Sequence, residues 1–215
     1  MRRYRGVGLT LAAVFAIGGL VAPAALGQAG TFTASDYAAT ITGSQIGKNV
    51  LTTNAGKVEC THGTFHGAMA DKSQTLTVTA SYSGCQLAGL FVTTIDMNGC
   101  DYRFKAGETE AGEDAYVGTV DIVCPGSNEI VVTTSVCVIR IPSQNGLGVV
   151  TYETTAGEPD LDATLDVTGS LKYTIDSGCG PTGSGTFTNG SYVTAMTLFA
   201  EKAVFLDPLG FEISD

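Results

Sequence analysis

The chain has 215 residues with 21 acidic and 11 basic side chains, a net charge of −10, six cysteines, two histidines and no tryptophan. Its length suits one domain with its own core. So acidic a surface repels phosphate backbones and anionic lipid, which argues against nucleic acid or a bare membrane surface as partner.

The chain opens Met1-Arg2-Arg3-Tyr4-Arg5, runs apolar from Val7 through Val21, and ends in small residues around Ala24-Ala25-Leu26-Gly27-Gln28-Ala29. A basic start, an apolar middle and a small-residue exit predict a secretory signal peptide over 1–27, with cleavage after Gly27 or after Ala29. Val7 to Leu26 is long enough to span a bilayer, but Pro23 and the small residues after it favour cleavage over an anchor, leaving no stable membrane span. Losing Arg2, Arg3 and Arg5 leaves eight basic against 21 acidic residues, a net charge of −13. Residues 30–215 then form a single all-β domain, secreted or at the cell surface, and six cysteines in an exported chain predict disulfides.

Gly30 to Asp36 reads as a short polar lead-in. From Tyr37 to Cys60, Thr, Val and Ile between Gly and Asn punctuation predict short strands joined by turns, and no later window shows a helical stripe. Cys60 and Cys85 are equidistant from the turn residues Asp71-Lys72-Ser73-Gln74, and Leu76, Val78 and Ala80 alternate with Thr75, Thr77 and Thr79, so a hairpin there sets the two sulfurs opposite each other. Phe91 to Met97 runs into Asn98-Gly99, the strongest short hairpin signal. A hairpin there would pair Met97 with Cys100, Ile95 with Tyr102 and Thr93 with Phe104.

Counting inward from Cys100 and Cys124 pairs Tyr102 with Ile122, Phe104 with Val120 and Ala106 with Gly118, while Asp101, Arg103, Thr119 and Asp121 share the opposite face. Between these arms, Lys105 to Val117 reads as an acidic loop. Pro125 to Asn128 marks a turn, and a last long hairpin centred near Gly157-Glu158 makes Cys137 and Cys179 equidistant from its tip. Sequential pairing, Cys60 with Cys85, Cys100 with Cys124 and Cys137 with Cys179, follows from one geometric idea used three times, although six cysteines allow 15 connectivities. Ser177 to Gly190 reads as a loop, Ser191 to Leu198 as a final strand, and Phe205 to Ile213 as an extra edge or tail. About ten short strands with regular turns predict an antiparallel β-sandwich or barrel built from sequential hairpins.

The pieces Thr53-Asn54-Ala55-Gly56 with Cys60, Tyr82-Ser83-Gly84-Cys85, Met97-Asn98-Gly99-Cys100, Thr119 through Pro125 and Leu171-Lys172-Tyr173-Thr174 resemble a set of small exported actinobacterial proteins of unknown function. The resemblance covers the chain from about Tyr37 to the last strand. It implies an exported, all-β, six-cysteine domain and no activity.

Chemistry is sparse. His62 and His66 are four apart on one strand, hence on one face but about 13 Å apart, too far to share a metal ion unless the segment bends at Gly63. Asp96 and Asp101 would face each other across the Asn98-Gly99 hairpin, where like charges need Arg103 or a calcium ion to neutralise them. Further acidic clusters at Glu158, Asp160 and Asp162 and at Glu108 to Asp114 lack the calcium-loop pattern of an EF-hand. There is no Gly-x-Ser-x-Gly, and the cysteines are more simply consumed in disulfides. The sequence therefore points to a non-catalytic exported module with a cell-envelope or extracellular partner. The alternative is a carrier for a small apolar or sugar ligand, and a hydrolase comes last.

Overall fold

The structure is a computed structural model and describes residues 29–109, 115–154, 158–176, 179, 183–202 and 208–214. The signal peptide expected over 1–27 lies outside these residues, as do 110–114 of the acidic loop and 155–157 of the last hairpin tip.

Alternation of side-chain type carries the chain into strands. Those among the described residues are β1 Thr31–Ala34, β2 Ala39–Thr53, β3 Gly56–Met69, β4 Thr75–Leu87, β5 Phe91–Asp96, β6 Asp101–Thr109, β7 Ala115–Val123, β8 Ile130–Thr134, β9 Val138–Ile141, β10 Gln144–Thr154, β11 Asp160–Ile175, β12 Gly185–Lys202, β13 Pro208–Leu209 and β14 Phe211–Ser214. In β4, Leu76, Val78 and Ala80 are buried while Thr75, Thr77 and Thr79 are exposed. β11 repeats this with Leu161, Ala163, Leu165 and Val167 inside. Both patterns have the period of two that gives a sheet one dry face.

That dry face closes on itself. β5 and β6 both lie antiparallel to β4, Thr93 opposite Cys85 and Tyr102 opposite Val78, so they run in the same direction as one interrupted strand. β8 and β7 are likewise the two halves of one strand, and β9 and β10 of another. With these three composites the chain makes an up-and-down antiparallel barrel of eight strands: β2, β3, β4, β5/β6, β7/β8, β9/β10, β11 and β12, with β12 returning to β2 from Ser191↔Thr52 to Lys202↔Ala39. Closure leaves the barrel no edge strand to template aggregation.

The composites correct one expectation. The Asn98-Gly99 turn forms, with positive φ at both residues (50° and 77°) and Cys100 N–H donating to Met97 C=O at 2.7 Å. It makes no hairpin, because Ile95 lies opposite Val132 and Tyr102 opposite Ile122. From Val78 to Cys85 is seven steps along β4 and from Thr93 to Tyr102 nine along its partner, so the turn is a two-residue excursion within a strand. Pairing β5 with β6 would have taken both away from β4 and left the barrel open. Strand length also differs from expectation, since β2, β3, β4, β11 and β12 have 13 to 18 residues. β12 begins at Gly185, inside the stretch that reads as a loop.

One end of the barrel is covered by β1 and β14, paired from Thr31↔Ser214 to Ala34↔Phe211. The polar lead-in is thus a strand, and it carries the fully buried Phe32, whose ring meets Tyr152 edge-on at 5.4 Å and lies against Phe211. At the other end Tyr173 stacks on Phe187 at 5.5 Å, accepts the Asn54 N–H and donates to Asn189.

Cys60 is bonded to Cys85, Cys100 to Cys124 and Cys137 to Cys179. The first joins residues directly opposite on β3 and β4, the second joins the β5/β6 and β7/β8 composites at their kinks, and the third ties the β8–β9 turn to the stretch after β11. Three disulfides fit an oxidising, extracellular-type compartment. No helix among the described residues is long and apolar enough to cross a membrane. The barrel wall bears hydroxyls and charges outward and aliphatic side chains inward, the reverse of a barrel that faces lipid.

Candidate functional site

At the waist of the barrel lies a cavity with about 30 Å³ of space for the centres of water-sized atoms, and every one of the eight strands contributes to its wall. Leu51, Val58, Val120, Leu147 and Leu165 supply the aliphatic part from β2, β3, β7, β10 and β11. Side-chain filling of an eight-stranded barrel leaves either nothing or room for one small ligand, and this interior has a little room. Among the described residues no charged side chain lines it.

Its polar wall is built by three tyrosines and an asparagine. Tyr102 on β6 and Tyr192 on β12 come from diametrically opposite strands, and their rings stack across the lumen at 6.0 Å, nearly parallel at 6°. Tyr82, inward from β4, sets its hydroxyl against both, 2.8 Å from Tyr192 and 3.2 Å from Tyr102. Tyr192 donates to Asn49 Oδ1 at 3.0 Å, and Thr194 donates to the same oxygen. Asn49 in turn donates to Gln45 Oε1, and Gln45 caps the backbone of Gly47 and Cys60.

Strand parity and a glycine place this cluster. Asn49 keeps the inward parity of Ala39 and Ile41 across a register shift against β3 between Ser44 and Asn49, and it is buried. Gly63 of β3 clears the space, because a Cβ there would lie 2.6 Å from Asn49 Nδ2 and 2.8 Å from Gln45 Oε1. Burial pushes the Tyr82, Tyr102 and Tyr192 hydroxyls up from the ordinary tyrosine value, so all three stay protonated and none is poised as a base.

The residues singled out from the sequence lie elsewhere. His62 and His66 point outward from β3 and are exposed, and His62 Nδ1 meets its neighbour Thr61 Oγ1 at 2.9 Å. Asp96 lies opposite Val131 and Asp101 opposite Val123, so the two carboxylates do not face each other as the hairpin would have required. Asp96 accepts the Asn98 N–H, and Asp101 accepts the Thr79 hydroxyl. Among the described residues no three His, Cys, Asp or Glu side chains gather where they could hold a metal ion.

Sequence reasoning placed Tyr102 on the apolar face but missed the cluster. The signal was a tyrosine on a dry face, which needs a partner for its hydroxyl. The partners stand 20, 110 and 143 positions apart along the network, beyond the reach of local pattern.

A disulfide-stapled meander barrel with a mainly aliphatic interior cavity is the class that fold and site define. No protein-family model, curated protein or solved structure matches the chain.

Proposed function

We propose that the protein is a non-catalytic exported barrel that carries a small, mainly apolar molecule, and that it belongs with the exported six-cysteine actinobacterial proteins it resembles. The observation that carries this reading is the waist cavity, aliphatic on most sides and furnished on one wall with fixed hydroxyls, the usual composition of a small-molecule site. Export is supported by the basic, apolar and small-residue leader and by the three disulfides.

The test is to fractionate the producing cells into medium, envelope and cytosol, take the intact mass of the protein, and extract it with organic solvent. The expected result is a product lacking residues 1–27 or 1–29, outside the cytosol, releasing a small organic molecule in stoichiometric amount. A cytosolic chain of full mass that releases nothing would sink both halves of the proposal.

A second reading has an observation of its own. Leu90 (77% exposed), Val92 (76%), Phe91 and Val136 stand out at the end of the barrel away from β1 and β14, where the β4–β5 and β8–β9 turns are neighbours. A cluster of exposed apolar side chains at one tip suits an interaction module of the cell envelope. A product held in the envelope fraction by protein contacts, and released by Leu90→Ser with Val92→Ser, would favour this role over free carriage.

A further inference from the structure

The leader pattern allows a cut after Gly27 or after Ala29, since either bond has small residues one and three positions before it. The fold distinguishes them. Ala29 bridges Glu108 of β6 in antiparallel fashion, and the next residue, Gly30, is buried with its N–H donating to Gly107 C=O at 2.7 Å. Gly30 is also closely walled, because a Cβ there would lie 2.5 Å from Ile213 Cγ2 and 2.8 Å from the Tyr116 ring. From this point every residue is held: Thr31 lies opposite Ser214, and Phe32 exchanges both backbone bonds with Ser73, at 2.8 and 3.1 Å.

A cut after Ala29 would delete the residue that meets Glu108 and turn the Gly30 amide into an ammonium. A charge is costly among the hydrocarbon side chains that wall this glycine, and it would displace the peptide N–H that Gly107 receives. A cut after Gly27 leaves both residues within the chain as ordinary peptides. Gln28 itself lies outside the described residues, and the choice rests on the two positions that follow it.

We infer that the mature chain begins at Gln28 and that this residue is a modification site, closing on itself to a pyroglutamyl N-terminus. The inference rests on the export reading above. The step needs no second reagent. The Gln28 α-amine attacks the carbonyl carbon of its own side-chain amide, and the new C–N bond closes a lactam. The bond to the amide nitrogen breaks, and that nitrogen leaves as ammonia with a proton taken from the amine. An α-amine titrates close enough to neutrality for part of it to be unprotonated, and attack within one residue has the advantage of an intramolecular reaction. The closed terminus has neither a charge nor a free amine for an aminopeptidase to hold. That protection has a use here, because trimming past Gly30 would reach Phe32, whose fully buried ring belongs to the β1–β14 cap.

The protein is collected from the cells that produce it, and its intact mass and N-terminal peptide are read by mass spectrometry beside those of Gln28→Ala. The expected native mass is that of residues 28–215 with three disulfides, less one ammonia, and the product resists an aminopeptidase that trims Gln28→Ala. A mature chain beginning at Gly30 or at any other residue, or one beginning at Gln28 with its amine intact, would overturn the inference and leave export standing. A chain that still carries residues 1–27 would overturn the inference and the export reading together. As a second measurement, disulfide-bonded chains made to begin at Gln28 and at Gly30 are unfolded in urea. The shorter chain should unfold at the lower concentration, and equal midpoints would overturn the argument from Ala29 and Gly30.

Discussion

Asp121 occupies an outward position on β7, yet its side chain has no exposed surface. Arg103 reaches over it with Nη2 2.6 Å from Oδ2, Lys105 Nζ is 2.9 Å from Oδ1, and the Gly146 N–H donates to Oδ1 at 2.7 Å. Burial alone would push this carboxyl up. The bonds from Lys105, Gly146 and Arg103 outweigh it and hold the group below the ordinary aspartate range. A lowered folded pKa means that the stabilisation is complete above the unfolded aspartate value of about 3.9 and is lost as the pH falls through the folded one. Asp121→Asn is therefore expected to cost about 1–3 kcal/mol in urea unfolding at pH 7, kept modest because Arg103 and Lys105 are themselves some 40% exposed. The gap between the two proteins should narrow below pH 4; a gap that widens on acidification would contradict the assignment. Glu59 is the contrasting case. Lys48 at 2.7 Å and Lys57 at 2.6 Å hold its carboxyl down at about 2, but the group lies open to solvent. Glu59→Gln should leave the melting temperature at pH 7 essentially unchanged, in line with other exposed pairs.

At the scale of elements, the strands are kept in one barrel by places where the backbone departs from regular pairing. Between Leu147 and Val150 of β10 the register against β7 shifts, and Gly146 and Gly148 both have positive φ, 62° and 53°. They differ in what a methyl group would meet. Nothing lies within 4 Å at Gly146, whereas at Gly148 the Asp166 carbonyl oxygen is 2.2 Å away. Gly146→Ala should cost about 1 kcal/mol for the left-handed backbone alone, and Gly148→Ala clearly more, both read by urea unfolding. Equal costs would mean that the close approach of β10 to β11 is not constrained.

The same irregularities mark where sequence reading stopped. The Tyr102–Ile122 and Phe104–Val120 register was legible from alternation and persists to Lys105↔Thr119. It ends at Gly107 and Gly118, where each residue presses on the other strand's backbone and the ladder shifts. Asn98-Gly99 signalled a turn, and the turn exists. A turn signal, however, says nothing about which strands flank it, and the hairpin with positive φ at both central residues falls on Ala88 and Gly89 instead, where the composition carries a weaker mark. The tyrosine cluster was illegible for a related reason. Its hydroxyls meet only because β6 and β12 are brought to opposite sides of a closed lumen, a consequence of strand number that no single strand encodes.

For the whole molecule, closure makes the ends of the barrel separable from its waist. β1 and β14, from opposite ends of the described chain, pair with each other and press Phe32, Phe211 and Ile213 onto one end. The cavity lies at the waist, and none of these three residues lines it. Phe211 is 2% exposed, and Phe211→Ala removes a buried ring whose neighbour Phe32 is held in place by β1 and by its edge contact with Tyr152, itself fixed by its hydroxyl donating to Lys105 C=O at 3.2 Å. Little collapse into the gap is available, so the loss should reach about 3–5 kcal/mol in chemical unfolding. Sites far apart in a rigid wall behave additively, so the same variant should bind a compact apolar probe such as cyclopentane within about twofold of the unaltered protein under conditions where both are folded. Were Phe211→Ala to abolish binding while leaving the fold intact by amide NMR, the β1–β14 cap and the cavity would be one cooperative unit. The cap would then act as the door to the interior.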